Sequence, residues 1–125
     1  MGWKLLAIAL AGSAGTLCRY GLGGLVHRVA GAQIPWGTVV VNLLGCFLFG
    51  LVWALSEDRL SISSEIRTVI LVGFMGAFTT FSTFIFETRE LLRDSLWLFA
   101  CGNLLIQNVG GIATLMLGIA LGSRV

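Results

Sequence analysis

The sequence predicts an all-α membrane protein with four transmembrane helices, and three observations carry that expectation. Hydrophobic residues make up 57% of the chain and charged ones only 11%, where an ordinary soluble domain has about 25% charged residues. Apolar stretches separated by short charged turns recur four times, and each crossing needs roughly 20 residues. The third stretch is interrupted by polar groups in a way that points to a broken helix. One membrane domain over residues 1–125 follows, with spans expected at about 5–26, 35–55, 66–86 and 96–121.

The first span is rich in Ala and Gly. Its apolar run continues through Arg19 to Val26, past any possible cleavage site, so an uncleaved helix is expected rather than a signal peptide. Gly12, Gly15, Arg19 and Gly23 recur at helical spacing, and Ala7, Ala11 and Gly15 have the small-residue spacing that lets backbones approach. Arg19 falls roughly 21 Å along a core about 30 Å thick. Two readings stand for it: snorkelling to an interface, or an electropositive vestibule that concentrates anions.

Pro35-Trp36 opens the second span, where Pro suits a first helical turn and Trp the interface. Thr38, Asn42 and Gly45/Cys46 share a face there. The Asn42 amide offers two donors, to an anion or to a neighbouring helix. Ser64-Glu65 suggests a cap for the third span. Within that span Gly73-Phe-Met-Gly-Ala-Phe-Thr-Thr-Phe-Ser-Thr-Phe-Ile-Phe86 crowds Thr79, Thr80, Ser82 and Thr83 too closely for one helical face. Gly73 and Gly76 would permit a non-helical backbone. The alternative is an intact, Phe-rich helix whose hydroxyls bond their own carbonyls. Charged residues Glu87 to Asp94 read as the next loop. In the fourth span Asn103, Gln107, Gly110/Gly111 and Thr114 line up at helical spacing, as a wet anion-facing stripe or as interhelical glue.

Four spans place both termini on one side. Lys4, Arg59, Arg67 and Arg124 then lie on that side, and Arg19, Arg28, Arg89 and Arg93 on the other. The positive-inside rule needs an imbalance; four against four predicts insertion both ways and pairing with an inverted copy. No nucleophile–base pair, metal-ligand cluster or nucleotide loop occurs, so an enzyme is not expected. Cys18, Cys46 and Cys101 are odd in number and lack a CxxC spacing, which suggests free thiols. The first, second and fourth spans hold no carboxylate; a proton-coupled exporter or a cation pore normally has one. Donors without embedded acceptor charges point to a small anion.

Three motifs then resemble one family across essentially the whole chain. Gly12-x-x-Gly15-x-x-x-Arg19-Tyr20, Gly37-Thr38-x-x-x-Asn42-x-x-Gly45 and Gly73-x-x-Gly76-x-x-Thr79-Thr80-Phe81-Ser82-Thr83-Phe84 are similar to those of the Fluc (CrcB) fluoride ion channels. Ala77 and Phe78 stand where relatives often carry Gly and Leu. The resemblance implies an antiparallel, dual-topology homodimer in the cell's inner membrane, passing fluoride passively outward through two pores. It implies Asn42, Phe81, Phe84, Ser82 and Thr38 along the pore. It also implies a structural sodium ion at the dimer interface, held by backbone carbonyls of Gly76 and Thr79 from both subunits. Arg19 and Glu87 match positions of electrostatic or structural role. No family role transfers to Asn103, Gln107 or Thr114. A small dual-topology multidrug exporter is the alternative reading, since it shares size, span count and charge balance.

Overall fold

The computed structural model describes residues 1–58 and 60–125, and all regular structure among them is helical. Arg59, one of the basic residues counted above, lies outside the described residues. Helix α1 runs Gly2–Ala30 and α2 runs Trp36–Asp58. The third span comprises α3 (Ser64–Thr68), a π-helical segment Val69–Met75, α4 (Gly76–Phe78) and α5 (Phe81–Arg93). The fourth comprises α6 (Trp97–Leu105), a second π-helical segment Ile106–Gly110, and α7 (Gly111–Gly122). Four helical stretches, Gly2–Ala30, Trp36–Glu57, Ser64–Arg93 and Trp97–Gly122, are long and apolar enough to cross a membrane. The protein is a multi-pass membrane protein.

Exposure explains why a bilayer is needed. Helix α1 buries only Gly15, while Leu5, Leu6, Leu10 and Leu17 are each more than 60% exposed. In water such faces would cost about 25 cal/mol per Å² of apolar area; acyl chains remove that cost. Without a hydrophobic force between spans, backbone approach must hold them together. A Cβ on Gly118 would overlap the Phe47 carbonyl, and one on Gly50 the Leu115 carbonyl, so α2 and α7 meet almost backbone to backbone. Gly15 sits equally close to the Phe74 carbonyl, joining α1 to the third span; its small-residue spacing predicted a close approach but not the partner.

Two expectations change. The charged stretch Glu87 to Asp94 is not a loop, because α5 continues to Arg93. Phe84, Thr88 and Leu91 are buried at i, i+4 and i+7, while Arg93 pairs with Glu90 at 2.8 Å on the opposite side. That amphipathic pattern keeps the helix going past the apolar run. The glycines of the third span do not supply its irregular backbone either. Gly73 lies within the π-helical segment and Gly76 has helical φ −62 and ψ −33. Gly73 instead admits α1, since its Cβ would meet Ala11 Cβ at 3.0 Å and the Ile8 carbonyl oxygen at 3.2 Å. The extended residues are Thr79 and Thr80, whose β-branched side chains favour that region.

Candidate functional site

Thr79 (φ −84, ψ 158) and Thr80 (φ −146, ψ 119) are extended between α4 and α5. In an unbroken helix the Thr80 amide would donate to the Gly76 carbonyl. Here it donates to Asn42 Oδ1 at 2.8 Å, and Asn42 Nδ2 donates back to the Thr80 carbonyl oxygen at 2.9 Å. One side-chain amide from α2 therefore takes the place of two helical partners. Gly45, one turn along α2, leaves the room this needs: a Cβ there would overlap Thr79 Cγ2.

The four hydroxyls divide. Thr79 bonds back to the Met75 carbonyl with both its amide, at 3.1 Å, and its hydroxyl, at 3.0 Å. Thr80 caps α5, its Oγ1 accepting from the Thr83 amide at 3.3 Å; such a cap contributes about 1 kcal/mol. Two helix ends consequently meet at the extended pair. The end of α4 turns carbonyl oxygens toward it, and the start of α5 turns N–H groups and the positive end of its dipole.

Open troughs flank this segment and share Thr80. The first, about 260 Å³, is lined among others by Asn42, Thr80, Phe81, Phe84, Gln107 and Asn108. Phe84 is buried and Phe81 is 73% exposed. Their rings lie 5.7 Å apart at 60°, edge to face. The second, about 340 Å³, brings Arg19, Tyr20 and Thr16 of α1 to Thr38, Thr80 and Thr83. Arg19 thus shares a cavity with the extended segment, which links the vestibule expectation to the same residues.

Other expected site residues fall differently. Thr38 and Asn42 border different troughs, and the Thr38 hydroxyl donates to Glu87 Oε1 at 2.7 Å. Glu87 Oε2 is buried with no protein partner. Ser82 is exposed and lines neither trough. Gly76 is exposed and Thr79 half-buried. Among the described residues no three His, Cys, Asp or Glu side chains group as metal ligands.

The fourth span contributes more than its sequence assigned. Asn42 Nδ2 also donates to Gln107 Oε1 at 2.7 Å; Gln107 Nε2 donates to Asn103 Oδ1 at 2.8 Å. Asn103 Nδ2 continues to Thr88 Oγ1 at 2.9 Å, and Thr88 donates to the Phe84 carbonyl at 2.8 Å. This directional chain ties Thr80 to Phe84 through three helices. Asn103 and Gln107, both readable at i and i+4, enter it; Thr114 does not, since it bonds the Gly111 carbonyl of its own helix at 3.1 Å. Thr88 and Asn108 were missed. Thr88 lay in the stretch read as loop, and Asn108 is adjacent to Gln107, off the face that helical spacing selects.

Comparison with known proteins matches the same length of chain. A family model described as "CrcB-like protein, Camphor Resistance (CrcB)" matches residues 6–119. A protein of Nitrosococcus oceani named "Fluoride-specific ion channel FluC" is 59% identical over 120 residues, covering 95% of this chain and 96% of its own. A Solidesulfovibrio magneticus protein of the same name is 59% identical, with 95% of each chain covered. A third, from Geobacter sp. (strain M21), is 47% identical over 93% of this chain and 94% of its own.

Proposed function

The chain belongs to the CrcB-like protein family, and from that premise we propose that it is a fluoride-selective channel rather than an enzyme. The observation that carries the reading is the extended Thr79–Thr80 pair, clamped by Asn42 beside a trough that Phe81 and Phe84 line. Fluoride would leave the cell passively through two pores of an antiparallel, dual-topology homodimer in the inner membrane. Arg19 supplies positive potential at the entrance and raises the local anion concentration. The start of α5 favours negative charge, and Thr38 and Ser82 are the further hydroxyls assigned to the route. Beyond them the ring edges of Phe81 and Phe84 face the ion, since the edge is the positive part of the aromatic quadrupole. Glu87, held by Thr38, is given a structural role.

Sodium fits the other helix end. Because the Thr80 amide serves Asn42, the Gly76 carbonyl loses its helical donor, and carbonyl oxygens suit a hard cation. Gly76 and Thr79 of two copies would hold the ion, which supplies positive charge at the dimer interface and is not transported. The four-to-four balance of basic residues supports inverted pairing. The relatives carry a channel's name, which leaves the small-exporter reading without support.

Flux from liposomes tests the function. Vesicles of purified protein loaded with fluoride or chloride, followed by ion-selective electrode, should release fluoride and retain chloride. Phe81→Ile and Phe84→Ile should each slow release about tenfold or more, the rate equivalent of about 1.4 kcal/mol. Equal chloride release, or undiminished flux in both variants, refutes the reading.

A further inference from the structure

Helix α5 carries both Phe81 and Phe84, and two side-chain hydrogen bonds tie it to the spans beside it. The Thr38 hydroxyl of α2 donates to Glu87 Oε1 at 2.7 Å, and Asn103 Nδ2 of α6 donates to Thr88 Oγ1 at 2.9 Å. Among the described residues, the other side-chain bonds of α5 stay within residues 80–94. Consecutive residues of an α-helix point about 100° apart. The two ties therefore pull in different directions, and between them they set how α5 is turned about its axis. Phe84 lies one turn before Thr88 on the same face, and Phe81 lies most of a turn earlier.

The ties are not equally stiff. Glu87 reaches Thr38 through a long side chain whose end can follow its partner as the helix turns. Thr88 has a single χ1, restricted by β-branching, and its own hydroxyl proton is committed to the Phe84 carbonyl at 2.8 Å. Its partner is fixed as well: Asn103 Oδ1 accepts from Gln107 at 2.8 Å, so the amide must turn its nitrogen toward α5. Thr88 is 5% exposed and Asn103 3%, and neither lines either trough beside the extended pair. Water cannot replace the bond there, and a donor left alone is costly. Turning α5 by about 20° would break the bond and carry a ring roughly 6 Å from the axis through about 2 Å.

We propose that Thr88 is a positioning residue of the channel: by accepting from Asn103 it fixes the rotation of α5, and so holds Phe84 and Phe81 against the trough without meeting the ion. The proposal rests on the fluoride-channel reading for what the rings do. Losing an interhelical bond of average strength changes the ratio of two helix orientations about threefold.

The test compares the full-length wild type with Thr88→Val and Thr88→Ser, by fluoride release from liposomes and by fluorine NMR of para-fluorophenylalanine placed at position 84. Thr88→Val keeps the shape and loses the hydroxyl; Thr88→Ser keeps the hydroxyl and loses a methyl. Packing alone would disturb the Phe84 resonance more in Thr88→Ser, whereas positioning by the hydroxyl disturbs it more in Thr88→Val. Release should slow about threefold in Thr88→Val and recover to within about 1.5-fold of wild type in Thr88→Ser. If Thr88→Val misfolds, Thr88→Ala replaces it, since Ala and Ser differ there in the hydroxyl alone. A wild-type rate from the variant lacking the hydroxyl, with the wild type conducting fluoride, overturns the positioning role and leaves the channel reading standing. A Phe84 resonance disturbed more in Thr88→Ser also overturns it. No fluoride release from the wild type overturns the channel reading, and the resonances then still decide whether Thr88 holds Phe84.

Discussion

Asn42→Leu isolates what one amide does for the third span. The substitution puts an aliphatic side chain of similar size in its place and removes the bonds to the Thr80 amide, the Thr80 carbonyl and Gln107. Bonds between helices in membranes average about 0.6 kcal/mol and reach about 1.7, so three of them contribute roughly 2–5 kcal/mol. Asn42 is half-buried, and its partners can regain some bonding elsewhere, so the lower part of that range, about 2–3 kcal/mol, is expected. The recovery has a structural cost of its own. If the Thr80 amide returns to the Gly76 carbonyl, the third span straightens and the trough closes. Equilibrium unfolding of the full chain in mixed detergent–SDS micelles measures the loss, with Gln107→Leu as comparison. That variant removes only one of Asn42's bonds and leaves the extended pair clamped, so it should lose about 1 kcal/mol less. An Asn42→Leu protein within about 0.5 kcal/mol of wild type, or one more stable than Gln107→Leu, would refute the clamp.

Two predictions concern assembly. A cysteine placed at exposed Ala32, in a background with Cys18, Cys46 and Cys101 replaced, should be labelled about equally by a membrane-impermeant reagent from either side of the membrane, as four basic residues against four imply; one-sided labelling rejects the inverted pair. Exchanging sodium for the bulky cation N-methylglucamine should lower the thermal midpoint, because an ion bound only to the folded state stabilises it by about 2.7 kcal/mol at a hundredfold excess over Kd. Identical midpoints in the two cations would remove sodium from the structure.

The legible parts of this fold were those governed by composition and local spacing. Four spans, a close backbone approach at Gly15, and an irregularity near Thr79 all rest on properties of neighbouring residues. The details went astray where a local rule had a competitor. Charge made Glu87 to Asp94 look like loop, although the buried Phe84, Thr88 and Leu91 carry the helical period through it. Glycine looked responsible for the irregular backbone, although extended φ and ψ need no glycine and threonine adopts them readily.

The sequence by itself determined that this chain lives in a bilayer, and that polar groups there must find partners within the protein. Which partners they find was decided only in three dimensions. Asn42 reaches Thr80, 38 positions away, and Gln107, 65 positions away; a helical period reports that residues share a face, not what stands opposite. The same gap separates a pair of donors on Asn42 from donors that are free. Water would have met those protons anywhere along a soluble chain. In hydrocarbon only packing allots them, and packing here gives one to the Thr80 carbonyl and the other to Gln107.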